Sequence, residues 1–166
     1  MLQATAPHFI PTKILVPVDF SSSSDAALET ASDLAQHFHV ELYLLNVIPM
    51  LPMDTKTVSF PESEYLHKAE DNAERQLATC DAALISKGIK ASSRIEIGND
   101  VVGNIMQAIE REHIDMVVIS THGISGCRPL VFSSIAEKVV KQVQGPLLLL
   151  CSVEPDATCA ASTLQC

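Results

Sequence analysis

The sequence predicts one α/β domain built on a parallel sheet, and three observations carry that expectation. Short runs of Ile, Leu and Val alternate with longer segments of helical periodicity between residues 13 and 153, the order that builds a sheet covered by helices. Capping and stop signals fall where the two kinds of segment meet. The chain has 166 residues, 47% of them apolar, which suits a single buried core and leaves little for a second domain.

Strands are expected at residues 13–18, 41–47, 91–96, 116–120 and 147–151. The first, fourth and fifth are almost continuous Ile, Leu and Val, the pattern of strands covered on both faces. The first helix follows the serines from Ser21 to Ser24. Ser22 with Asp25 three positions on reads as its capping box, and Ala27, Ala31, Leu34, Ala35 and Phe38 keep the spacing of a face laid on the sheet. The second helix, residues 62–87, repeats Leu66, Ala69, Ala73, Leu77, Cys80 and Leu84 at every third or fourth position, and Gly88 stops it. Asp100 is placed to cap a third helix whose Val102, Ile105 and Ile109 face the core. The fourth opens on Ser134-Ile135-Ala136-Glu137, an S-x-x-E capping box, and closes at Gly145-Pro146. Pro49, Pro52 and Pro61 make the connection after the second strand an extended loop. Residues 1–10 and 154–166 are polar and aperiodic and read as flexible tails around a domain at 11–153.

Eleven Lys and Arg against twenty Asp and Glu give a formal net charge of −9, with a pI near 5.0. Such a chain lacks a broad cationic surface for phosphate backbones or anionic lipid, so neither nucleic acid nor membrane is expected as a partner. The longest apolar runs, around Met116-Val117-Val118-Ile119 and Leu147-Leu148-Leu149-Leu150-Cys151, fall well short of the roughly 18 residues of a membrane span. The first dozen residues lack the basic start and apolar stretch of a secretory leader, and a cytoplasmic location is the expectation. Cys80, Cys127, Cys151, Cys159 and Cys166 are odd in number, scattered and without a C-x-x-C pair. They read as reduced thiols rather than a disulfide framework or a zinc site.

Ligands of open parallel sheets lie beyond the carboxyl ends of the strands, where strand order reverses. Two strand-to-helix loops draw attention there. After the first strand, Pro17-Val18-Asp19-Phe20-Ser21 sets a carboxylate beside a helix start. After the fourth, Ser120-Thr121-His122-Gly123-Ile124-Ser125-Gly126-Cys127-Arg128 leads to Ser133-Ser134 at the last helix. Hydroxyls, glycines and a helix N-terminus together form a plausible anion cradle. Asp19 also has a purely structural reading as part of the helix cap. His122 has no partner assignable from sequence and reads as a structural loop residue; His8, His37, His39, His67 and His113 have no metal-ligand spacing.

Lys13-Ile14-Leu15-Val16-Pro17-Val18-Asp19-Phe20-Ser21, Leu44-Leu45-Asn46-Val47-Ile48, Ser120-Thr121-His122-Gly123 and Ser133-Ser134-Ile135-Ala136-Glu137-Lys138-Val139-Val140 together resemble the universal stress protein family over residues 11–153. The resemblance implies a Rossmann-like five-stranded parallel sheet of order 3-2-1-4-5 with helices on both faces, a homodimer, and, in many members, bound ATP. The nucleotide-binding branch carries G-x2-G-x9-G followed by Ser or Thr. Here those positions fall on Ser120, Gly123, Ser133 and Ser134, so two glycines are replaced by serine. By the resemblance Asp19 and Val47 border base and ribose, Ile119 the base, and Gly123, Ser133 and Ser134 the phosphates. Pro17, Val18, Ser120, His122, Gly126, Arg128 and Ile135 complete the expected lining. Serine in place of glycine adds a Cβ where phosphate must come close, a penalty of about 1 kcal/mol per strained position, while its hydroxyl offers a donor.

The function this implies is a regulatory stress-response protein binding ATP, ADP or AMP, with Mg²⁺ accompanying ATP. Two alternatives stand beside it. One is a weak ATPase using Asp19 and a metal-bound water, with His122 assisting proton transfer. The other is a nucleotide-free module that contacts another protein through the altered glycine loop. A response-regulator receiver is set aside, because Glu96-Ile97-Gly98 and Cys151-Ser152-Val153 lack its phosphorylatable Asp and its Lys. The uncharged strand at 147–153 lies at the sheet edge in the family order, and a twofold copy paired along it gives the expected homodimer.

Overall fold

The computed structural model describes residues 9–50, 62–121 and 134–151. Its elements are β1 (Lys13–Pro17), α1 (Ser22–Phe38), β2 (Glu41–Ile48), α2 (Glu62–Ser86), β3 (Ala91–Ile97), α3 (Val101–Arg111), β4 (Met116–Ser120), α4 (Ser134–Gln142) and β5 (Leu147–Leu150). The strands form one sheet of order β3-β2-β1-β4-β5, parallel at every pairing. The α/β alternation and the strand order are those the sequence and its resemblance implied. The expected extended loop after the second strand falls mostly on residues 51–61, outside the described residues, as do residues 1–8 and 152–166.

Alternation along each strand divides the apolar residues between two cores. Ile14, Val16, Val18, Leu42, Leu44 and Val118 pack against Ala27, Ala31 and Ala35 of α1 and Leu77 and Leu84 of α2. Leu15, Tyr43, Leu45, Val117 and Ile119 pack against Val102, Ile105 and Ala108 of α3 and Ala136 and Val139 of α4. Strands covered on both faces must be apolar at every position, which is why β1 and β4 carry no period-two pattern. The edge strand β5 departs from that expectation. All four of its leucines are only half-buried, because among the described residues no strand pairs with its outer side.

Several boundaries shift in ways the backbone explains. Helix α1 is capped by Ser21 rather than Ser22, its side-chain oxygen accepting from Ser24 N–H at 3.2 Å. Phe38, expected on the buried face, is 42% exposed because it is the last helical residue, before His39 turns left-handed. The fourth helix starts on Ser134 itself, so its cap lies outside the described residues, and Glu137 pairs forward with Lys141 at 2.5 Å. Asp100 caps α3 as expected, accepting from Gly103 N–H at 2.9 Å. Cys80 and Cys151 are free thiols; burial pushes the Cys80 thiol up, and Asp25 and Asp81 add to the rise. Among the described residues no helix is long and apolar enough to cross a membrane.

At the amino ends of the strands, polar contacts hold the central strands together. The Asp115 carboxylate accepts from Thr12 N–H at 2.7 Å, Thr12 Oγ1 at 2.6 Å and Lys13 N–H at 3.1 Å, tying β1 to the start of β4. Glu41 lies between Lys90 at 2.7 Å and Lys13 at 3.6 Å. The Lys90 hydrogen bond holds its carboxyl below the ordinary value of 4.5; partial burial opposes this and Lys13 reinforces it.

Two predictions follow from these contacts. His39 and His113 are exposed residues held at φ 56 and φ 54, a conformation that costs a side chain about 1 kcal/mol. Either His→Gly substitution is therefore expected to raise the unfolding free energy by up to about 1 kcal/mol in urea titrations. The depressed Glu41 carboxyl contributes stability that is fully present above pH 4.5 and is lost as pH falls through its lower folded value. Glu41→Gln should flatten the loss of unfolding midpoint below that pH, as followed by circular dichroism.

Candidate functional site

The chain runs from β1 to β2 and β3 on one side of the sheet, then crosses to β4 and β5 on the other. The reversal lies at β1, so the carboxyl ends of β2, β1 and β4 border the crevice where ligands of such sheets bind. What opens that crevice is the loss of pairing on both sides of β1. Toward β4, the register ends at Leu15↔Val117. Two residues on, Pro17 has no N–H to continue it. Toward β2, the final backbone rung among the described residues runs from Val18 N–H to Leu45 O at 2.9 Å. Beyond it the Val18 carbonyl accepts from the Asn46 side-chain amide at 2.8 Å.

The chain then turns away sharply. Phe20 takes φ 61, and Asp19 Oδ1 accepts from Ser21 N–H at 3.0 Å and from Ser21 Oγ at 2.6 Å, an Asx turn that stabilises the left-handed residue. Asp19 N–H donates to Ser24 Oγ at 3.4 Å. The Asp19 carboxylate therefore builds the cap of α1 while standing at the mouth of the crevice.

Alternation fixes what β2 presents there. Leu42 N–H and Ile48 C=O bond to the β3 side, so the N–H and C=O of Val47, one position off that series, point to the β1 side. They do so past the last rung, where β1 has already left. Val47 thus turns a backbone donor and a backbone acceptor toward the opening. The side chains of Val47 and Ile119 lie on the α3/α4 face of the sheet, flanking Pro17. Together they make a small apolar floor, with Pro17 and Val47 half-buried and Ile119 5% exposed.

The remaining expected residues divide in two. Val18 and Ser120 are buried, at 5% and 7% exposure, and Thr121 N–H donates to Leu150 O at 2.8 Å, closing the end of β4 onto β5. Ser134 and Ile135 are exposed on the first turn of α4, which starts at the same end of the sheet because β4 runs toward it. His122, Gly123, Gly126, Arg128 and Ser133 lie outside the described residues. Asn46 was absent from the expected lining, although a signal was present: one amide inside Leu42-Tyr43-Leu44-Leu45-Asn46-Val47-Ile48 must find a partner if buried. Other clefts lie outside this crevice. One of about 640 Å³ runs between α2 and β3 past Glu74, Asp81, Arg94 and Glu96, and one of about 620 Å³ lies beneath α3 and α4 near Met106, Ile114 and Pro146.

A sequence profile of the Universal stress protein family matches residues 11–150. Universal stress protein MJ0577 of Methanocaldococcus jannaschii is 24% identical over 152 residues, covering 83% of this chain and 93% of the relative. The solved structure of MJ0577 superposes with a TM-score of 0.76 at 25% identity, over 89% of this chain and all of that one (100%). Two more distant structures share the fold. One is a universal stress protein in complex with cAMP (TM-score 0.64, 15% identity, 86% of this chain and 98% of that one). The other is a universal stress protein of Archaeoglobus fulgidus in complex with dAMP (TM-score 0.60, 18% identity, 85% and 98%). With the family profile spanning nearly all of the described sheet and helices, the chain belongs to the universal stress protein family.

Proposed function

We propose that this protein is a regulatory binding module that takes an adenine nucleotide at the carboxyl ends of β1, β2 and β4, working as a homodimer in the cytoplasm. The observation that carries the reading is the backbone of Val47, whose N–H and C=O face the crevice side by side. Buried or half-buried backbone groups in native proteins are normally paired, so this pair calls for a ligand with an acceptor next to a donor. The N1 and N6 edge of adenine has that pattern, and the apolar floor of Pro17, Val47 and Ile119 suits the face of a purine. In the same pose a 6-oxopurine would set its N1–H against the Val47 N–H, a donor facing a donor. The complexes of relatives with cAMP and dAMP support the choice of an adenine nucleotide.

The phosphates would extend toward Ser134 and the first turn of α4, where the helix dipole favours negative charge. Mg²⁺ would accompany a triphosphate and neutralise it, since the chain as a whole carries −9. A ligand held by backbone groups and a cap acts through binding rather than chemistry, and it would couple β1, β2 and β4 to the helices they lead into.

The dimer reading rests on β5. Its outer edge is unpaired among the described residues, its four leucines are half-buried, and Ile135 and Val140 on neighbouring α4 are 37% and 46% exposed. A second copy pairing antiparallel along this edge would satisfy the free backbone groups and cover the leucines. Light scattering at micromolar concentration is expected to give twice the chain mass of 17.9 kDa, with Leu148→Lys reducing it to one; a wild-type monomer contradicts the dimer. For the ligand, isothermal titration with AMP, ADP, ATP and IMP is the test. Heat of binding for the adenine nucleotides and at least about tenfold weaker binding of IMP are expected, and no heat with any of them overturns the reading.

A further inference from the structure

We propose that Asn46 is the positioning residue of this site: by occupying the Val18 carbonyl, its side-chain amide ends the β1–β2 ladder and reserves the backbone of Val47 for the ligand. The inference rests on the reading of the crevice as a base-binding site, and it assigns selectivity for the amino over the oxo purine to a side chain that need not touch the base.

In a regular parallel ladder the rung after Val18 N–H to Leu45 O would run from Val47 N–H back to Val18 O. Instead Asn46 Nδ2 donates to that oxygen at 2.8 Å, from a residue only 6% exposed and lying on the α1/α2 face with Leu42 and Leu44. The arrangement satisfies two groups at once. Val18 O keeps a partner as the chain peels away toward the left-handed Phe20, and the amide of Asn46 is not stranded in an apolar core. An apolar residue at position 46 would leave the Val18 oxygen without a donor. The nearest remedy is for β1 to stay against β2 for one more rung, with Val47 N–H taking the oxygen and the donor aimed at the crevice lost.

Asn46→Leu keeps the volume and removes the donor. Asn46→His restores one, since imidazole Nδ1 stands the same number of bonds from Cα as the amide nitrogen. Amide hydrogen exchange measured by NMR on the full chain reads the ladder directly, and calorimetry with AMP and IMP reads selectivity. Without nucleotide, the Val47 amide of the wild type is expected to exchange at least about tenfold faster than that of Leu45 inside the ladder. In Asn46→Leu the Val47 amide should slow by about tenfold and the preference for AMP over IMP should collapse toward unity, and Asn46→His should recover both. A residue that merely filled the core would alter stability and leave that preference intact.

Equal protection of Val47 and Leu45 in the wild type overturns the inference, even should the Leu variant fail to fold. So does an Asn46→Leu protein that keeps a fast Val47 amide and full selectivity. If no nucleotide binds, the proposed ligand falls while the exchange comparison still decides what Asn46 does; if AMP binds without dependence on Asn46, the inference falls alone.

Discussion

The carbonyl of Val18 is where this fold stops being a sheet and becomes a site. Up to that oxygen, β1 is a central strand buried on both faces, paired with β4 as far as Leu15 and with β2 throughout. Beyond it, three local features turn the chain away: the missing N–H of Pro17, the Asn46 amide in place of a backbone rung, and the Asx turn around left-handed Phe20. Val18 O and Ser21 N–H keep hydrogen-bond partners through the turn, and the N–H and C=O of Val47 are the groups left facing the opening. Together the three features open a crevice at the reversal of strand order.

The two ends of the sheet are built for different purposes. At the amino ends, Asp115 clamps Thr12 and Lys13 and the Glu41 ion pairs hold β1, β2 and the approach to β3. Those contacts lock strand position where no ligand is needed. At the carboxyl ends the same strands are allowed to diverge, and the backbone of Val47 meets the opening, with the Asp19 carboxylate at its mouth. For a chain with a net charge of −9, the proposed recognition of a base by backbone groups asks for no cations, and the dipole of α4 would favour the phosphate side.

Most of the architecture was legible because the strands and helices obey strong periodicities. Continuous Ile, Leu and Val in β1 and β4 marked strands buried on both faces, and Asp100 and Gly88 marked helix ends. The misses were local. Four consecutive serines offer several equivalent caps, so only the geometry selects Ser21 over Ser22. The half-exposure of β5 follows from its place at the edge, which depends on strand order rather than on its own residues. Glu137, expected in a capping box, pairs with Lys141 four residues on, while the cap of α4 lies outside the described residues. The resemblance to relatives is what draws attention to Asp19, Val47 and Ile119, which the structure brings to the same end of the sheet. Asn46 is harder to read from sequence, because its role depends on the Val18 carbonyl, 28 positions away in the chain, that its buried amide meets.

The central claim is that the backbone of Val47 recognises the ligand because β1 has left it unpaired. A crystal structure of the protein grown with AMP tests it most directly. The account predicts adenine N1 and N6 at about 3 Å from the Val47 nitrogen and oxygen, with the ring over Pro17 and Ile119 and Val18 O still bonded to Asn46. A base bound elsewhere, or a Val47 N–H found paired to Val18 O with the nucleotide present, would contradict it.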